Sequence, residues 1–209
     1  MKKVTIIDYG MSNLLSISRA IEKVGAEVSL TENPDEIAKA DLLILPGVGA
    51  FYDGMRELTN RNIPEAIETF IKTGQPFLGI CLGMQMMLGE GTEVKATKGL
   101  GIIPGKVLPL PYQNASGIAN TIPHIGWAPL QSASTKYPVL LPKEEASFMY
   151  FVHSYYASPE QPEHGIASTV FSDMQFTSVI NKDNAWGTQF HPEKSGEIGL
   201  QVLHQFLSL

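Results

Sequence analysis

The chain has 209 residues, 44% hydrophobic and 17% charged, which is enough apolar side chain to bury a full core and too much for a disordered segment. A net charge of −6 excludes the basic footprint of a nucleic-acid or anionic-membrane binder and suits a small substrate or a protein partner. One cysteine excludes an internal disulfide, and no apolar run reaches the ~20 residues that span a bilayer; with only four apolar residues before Asp8 and so no signal-peptide core, the expected location is cytoplasmic.

The first half alternates strand and helix signals. "KVTIID" is a β-branched strand, and after the "YGMSN" turn Leu14, Ile17, Ile21 and Val24 mark one face of a helix. "EVSL" reads as a short strand, and "NPDEIAKA" as a helix with Asn33 as cap and Pro34 at its first position. "DLLILPG" is a buried strand ending in a glycine turn, "IPEAIETFIKTG" a helix closed by Gly74, and "PFLGI" a further buried strand. Near-continuous apolar strands separated by helices imply a parallel sheet covered on both faces.

The second half has little helix period. From "GTEVKATKGLGIIPGKV" to "KEEASFMYFVHSYY", and on through "GIASTV", "FTSVIN" and "AWGTQF", short β-like runs imply antiparallel strands added to an α/β core, closed by the amphipathic helix "GEIGLQVLHQFLSL". No repeat or linker marks a second domain, so one domain over residues 1–209 is expected.

Ligands of open parallel sheets bind beyond the carboxyl ends of the strands, where "LPGVGAF", "GICLGMQ" and "GTQFHPEKS" fall. Cys81 follows a strand and precedes a helix start, a turn that projects the side chain outward and favours thiolate. Gly79 and Gly83 flank it at the spacing of a nucleophile elbow. Taken alone, the pattern fits a buried filler as well as a nucleophile.

A thiol nucleophile needs a base. His164, in "PEQPEHG", reads as a solvated loop residue, His204 as a surface or capping residue, and His124 and His153, beside aromatic residues, as packed structural histidines. His191 differs: Pro192 pushes it toward extended geometry, which sets Glu193 on the same side of the chain. A carboxylate there can accept the Nδ1–H and leave Nε2 to take a proton from a thiol. Gly47 and Gly49 permit backbone angles that turn amides toward a ligand, as an oxyanion hole requires. No CxxC, HExxH or clustered Cys/His set is present, and "GLGIIPGKV" has the wrong glycine spacing for a phosphate loop, so neither a metal nor a cofactor is expected.

"PGVGAF", "GICLGMQ" and "HPEKS", in this order over nearly the whole chain, resemble the class I (triad-type) glutamine amidotransferases. The resemblance implies a flavodoxin-like three-layer α/β/α fold with a mainly parallel sheet. It makes Cys81 the nucleophile that forms a γ-glutamyl thioester, His191 the general base and acid, and Glu193 the orienting carboxylate. "IDYGMSNLLS", "GLGIIPGKV", "IPHIGW", "FVHSYY" and "GTQFHPEKS" together are similar to the glutaminase subunits of imidazole glycerol phosphate synthase. That similarity implies L-glutamine as substrate and a (β/α)8 cyclase subunit as heterodimer partner, which uses the ammonia to convert PRFAR to imidazole glycerol phosphate and AICAR.

By the same resemblance, the N–H groups of Val48 and Leu82 form the oxyanion hole. Gly49, Gln85 and Glu93, with the backbone of His153, Ser154 and Tyr155, hold the substrate, and Asn13, Trp127 and Lys194 lie near the partner. The pattern departs at Ser12, where glycine is usual, at Ala128, where asparagine is common, and in the less acidic "GEGTEV". The rival readings are an amidotransferase partner of another synthase, which "GICLGMQ" with "PHIGW" disfavours, and a silent interaction module, which an intact Cys81, His191 and Glu193 disfavour.

Overall fold

The computed structural model describes residues 2–132 and 147–209, so residues 143–146, at the front of the "KEEASFMYFVHSYY" run, lie outside it. In chain order the first half holds β1 (Lys3–Ile7), α1 (Leu14–Lys23), β2 (Glu27–Thr31), α2 (Pro34–Ile37), β3 (Leu43–Leu45), α3 (Phe51–Asn60), α4 (Ile63–Lys72), β4 (Phe77–Ile80) and α5 (Leu82–Met86). There follow β5 (Leu88–Gly91), β6 (Thr97–Lys98), β7 (Ile103–Pro109), β8 (His124–Pro129), β9 (Gln131–Ser132), β10 (Phe148–His153) and β11 (Tyr155–Pro159). The chain ends with β12 (Gly165–Phe171), β13 (Met174–Lys182), β14 (Ala185–Thr188) and α6 (Gly196–Leu207).

Five strands run parallel in the order β2-β1-β3-β4-β14, the flavodoxin-like arrangement. The sheet continues antiparallel through β13 and β11 to β7, which pairs parallel with β5, and β5 pairs antiparallel with β6; β12 and β9 branch from β13. Successive side chains go to opposite faces. Val4, Ile6, Ile44, Leu78 and Ile80 pack on one side with Ile17 and Ile21 of α1 and with Val202, Leu203 and Phe206 of α6. Ile7, Leu43, Leu45 and Phe77 pack on the other with Ile37, Leu58, Ile67 and Phe70 of α2, α3 and α4. Both faces of β3 and β4 are therefore dry, which is why these two read as continuous apolar runs, whereas β2, at the sheet's edge, leaves Glu27 and Leu30 exposed.

Two features depart from the sequence reading. The "AWGT" strand is parallel, not antiparallel, to the core: a tight turn with Asp183 at φ +53° sends β14 back along β13 and lays it beside β4. And α3 carried no clear helix signal. Its N-cap position, Ala50, offers no side-chain acceptor, and Gly54 sits in its middle. Both have tertiary explanations: the Glu93 carboxylate accepts from Phe51 N–H at 2.8 Å, 42 residues away in sequence, and a Cβ on Gly54 would lie 2.7 Å from the sulfur of Met86. Local cues were replaced by distant partners.

Candidate active site

β4 ends at Ile80, and Cys81 turns the chain into α5 with φ +54° and ψ −108°, a conformation L-residues rarely adopt. Such strain costs about 1–3 kcal/mol and persists only where the surroundings over-determine it. Here they do. Cys81 N–H donates to Thr188 O at 2.7 Å and Gln85 N–H to Cys81 O at 3.1 Å, while a Cβ on Gly83 would lie 1.8 Å from Leu45 O. A Cβ on Gly79 would come within 2.8 Å of Gly83 itself. The flanking glycines exist so that the turn can close.

His191 arrives on the loop after β14 with extended backbone (φ −97°, ψ 98°), but Pro192–Lys194 form a 3-10 turn where a continuing extended segment was expected. The turn still presents Glu193 to the ring: His191 Nδ1 donates to Glu193 Oε1 at 2.7 Å, with both side chains buried. Burial disfavours the imidazolium, yet the Cys81 sulfur and the Glu193 carboxylate outweigh it and raise the His191 pKa to about 10. Among the described residues His191 Nε2 has no hydrogen-bond partner within ordinary limits, which leaves it to shuttle a proton. Ser195, the last residue of "HPEKS" and assigned no role there, fixes this loop by accepting from Tyr150 N–H at 3.0 Å and donating to His191 O at 2.6 Å.

Cys81 opens onto a cavity of about 370 Å³, within the usual size range of small-molecule sites, together with Val48, Gly49, Leu82, Gln85, Glu93, His153, Ser154, Tyr155 and Lys194. The expected substrate and oxyanion residues therefore share one cavity, whereas His191 and Glu193 line a separate small recess behind it with Asn13 and Gly47. Asn13 also caps α1, its Oδ1 accepting from Ser16 N–H at 3.3 Å. Trp127 stands off the cavity, 54% exposed on the two-stranded β8–β10 ribbon, its ring edge against Tyr150; Lys194 Nζ lies 6.0 Å from the same Tyr150 ring. Ala128 is buried on the inner face of the ribbon opposite Met149, and the Ser12 hydroxyl is buried without a partner among the described residues.

The remaining histidines divide as follows. His153 is buried, and burial lowers its pKa to about 3, so the ring is neutral; Nδ1 donates to Tyr155 O at 2.8 Å, which leaves Nε2 to accept from His124 Nδ1 at 3.3 Å. His124 stacks on Phe151. His164 is not a solvated loop residue: the 3-10 turn Pro162–His164 tucks it under β13, 8% exposed. His204 is exposed in the last turn of α6.

The "PGVG" turn lies across the cavity mouth in a closed arrangement. The Gly47–Val48 peptide gives its N–H to Met11 O at 2.9 Å, and Gly47 O accepts from Leu82 N–H at 3.3 Å, so neither amide faces the cavity. Beneath it sits Tyr9, fully buried, its hydroxyl without a partner among the described residues; a Cβ on Gly47 would lie 2.3 Å from that oxygen. Burial, with a smaller contribution from Cys81, raises the phenol pKa far above its usual value. Tyr9→Phe is expected to stabilise the fold by about 1 kcal/mol by removing a polar group that is buried and unsatisfied. Urea denaturation reads this directly, and an unchanged or lower midpoint would mean the hydroxyl is satisfied in solution.

Residues 5–208 match the family described as glutamine amidotransferase class-I. The chain is 47% identical to imidazole glycerol phosphate synthase subunit HisH 1 of Legionella pneumophila (strain Lens), over 100% of both chains. It is 44% identical to the HisH subunit of Geobacter sulfurreducens, over 99% of this chain and 98% of that one. Among solved structures, PurLQS from Thermotoga maritima matches with a TM-score of 0.74 at 22% identity, covering 99% of this chain and 98% of that one, a likeness of fold alone. With a family match over almost all of its length and full-length relatives above 40% identity, the chain belongs to the class-I glutamine amidotransferase family.

Proposed function

We propose that residues 1–209 form one glutaminase domain that serves as the ammonia-producing subunit of an imidazole glycerol phosphate synthase. The observation that carries this is the strained Cys81 facing the cavity, with the His191–Glu193 pair buried beside it. Cys81 Sγ attacks the side-chain carbonyl of glutamine after passing its thiol proton to His191 Nε2, whose raised pKa holds that proton until it is delivered to the departing ammonia. Glu193 holds the ring in the tautomer this requires. Water, activated by the same nitrogen, then cleaves the thioester and releases glutamate. Gln85 accepts from the substrate's ammonium group, and Glu93, already tied to Phe51 N–H, borders the same cavity with Gly49 and the His153–Tyr155 backbone.

Charge developing on the substrate oxygen calls for the Val48 and Leu82 N–H groups, and one rotation of the Gly47–Val48 peptide would free both. The trigger is docking of a (β/α)8 cyclase on the face that carries Ile125, Trp127 and Phe148, exposed on one side of the ribbon; Lys194 lies near the Tyr150 ring of that ribbon and borders the cavity, and Asn13 lines the recess beside Gly47 and Val48. The cyclase receives the ammonia and converts PRFAR to imidazole glycerol phosphate and AICAR. The test is glutamate release by the chain alone, with a cyclase subunit, and with the cyclase plus PRFAR. Release is expected to be nearly absent in the first case and to rise by orders of magnitude in the last; equal release in all three would remove the reading.

A further inference from the structure

Gln189 is fully buried at the carboxyl end of β14, one residue beyond the strand and two before His191. A buried amide must satisfy a carbonyl and two N–H donors, and the partners here have a definite direction. Gln85 Nε2 donates to Tyr155 O at 2.8 Å. Because that acceptor is a backbone carbonyl, it fixes which end of the Gln85 amide is nitrogen. The same nitrogen donates to Gln189 Oε1 at 3.1 Å, which fixes the Gln189 amide in turn and turns its Nε2 toward Cys81 Sγ, 3.8 Å away. Gln189 N–H donates to Ser178 O at 2.9 Å and anchors the backbone.

The sulfur has a second polar neighbour of opposite character. Val152 O lies 3.9 Å from Sγ and can accept from the thiol, but it faces the thiolate with a negative dipole. Gln189 supplies the compensating donor. We propose that Gln189 is a donor to the nucleophile: its Nε2–H stabilises the Cys81 thiolate, while its Oε1 locks the Gln85 amide so that the Gln85 carbonyl oxygen is left to accept from the substrate. One buried side chain thus joins the group that reacts to the group that binds. The inference rests on Cys81 being the nucleophile, and it adds a residue to which the sequence motif gave no role.

Two variants separate the two bonds. Gln189→Met is close in length and can neither donate nor accept. Gln189→Glu keeps an acceptor for Gln85 Nε2 and, once ionised, sets negative charge against the sulfur. In the complex with the cyclase and PRFAR, Gln189→Met is expected to lower kcat about tenfold, the effect of one weak donor to an anion, and to raise KM for glutamine. Gln189→Glu should lower kcat with KM near the parent value, and its loss should deepen as pH rises and the carboxyl ionises. Alkylation of Cys81 by iodoacetamide, measured on the free chain, should slow in both variants at neutral pH. Ammonia-dependent synthesis by each complex reports folding and docking independently of the thiol.

A residue that only fills space would change the stability of both variants and leave alkylation per folded molecule, kcat and the pH profile as in the parent; that result overturns the proposal. So does a KM that rises equally in both. Failure of the nucleophile assignment itself would appear elsewhere, as glutamine turnover that survives Cys81→Ala.

Discussion

Cys81→Ala is expected to abolish glutamine-dependent synthesis by the complex while synthesis driven by added ammonium salt continues. The thiol lines the cavity from the strained turn beside the His191–Glu193 pair, and alanine removes the sulfur that would carry the γ-glutamyl group. Removing a lone nucleophile costs several orders of magnitude in turnover, ~10⁶-fold in enzymes whose triads act as a unit. The ammonia-driven reaction bypasses this chain's chemistry and needs only the docked partner. Alanine also keeps the Cβ and so tests the sulfur with little change of volume, although the left-handed φ at position 81 persists. Loss of both activities would mean that Cys81 supports folding or docking instead.

What the sequence made legible follows from where each signal was local. β3 and β4 could be read because burial on both faces leaves no polar residue to break the apolar run, β1 because of its β-branched Val4, Thr5, Ile6 and Ile7, and the Asn33–Pro34 start of α2 because its cap is contiguous, Asn33 Oδ1 accepting from Asp35 N–H. The Cys81 elbow was legible because its glycines flank it. Where one partner was distant, the signal failed. Glu93 caps α3 from 42 residues away. Gln189 matters through Gln85 and Cys81, both more than 100 residues distant. Tyr9 looks like an ordinary residue at the end of a strand until the turn carrying Gly47 is folded over its hydroxyl.

Val48→Pro is expected to lower glutamine turnover by about 10²–10³, the usual cost of losing one oxyanion donor, even with partner and ligand present. Proline has no N–H, so a rotated 47–48 peptide would present nothing to the developing oxyanion at that position, and Leu82 N–H would act alone. The substitution leaves Cys81, His191 and Glu193 untouched. Alkylation of Cys81 and ammonia-dependent synthesis should both survive, which separates lost transition-state stabilisation from misfolding, even though proline also restricts Gly47. Near-normal turnover would sink the assignment of this amide as a donor, and with it the idea that the turn is the switch.

The closed turn also sets a number. Two hydrogen bonds hold the 47–48 peptide away from the cavity, Val48 to Met11 and Leu82 to Gly47. At about 0.5–1.5 kcal/mol net for each, they favour the closed form by ~1–3 kcal/mol, a ratio of roughly 5 to 150. On the proposed mechanism, then, about one molecule in 150 to one in six is open at any instant without help. Stimulation beyond about 150-fold must come from something other than releasing those two bonds, such as substrate alignment by the partner. Surplus copies of this chain would meanwhile lose glutamine in proportion to their open fraction, so matched production of the two subunits, and not the latch alone, limits the leak.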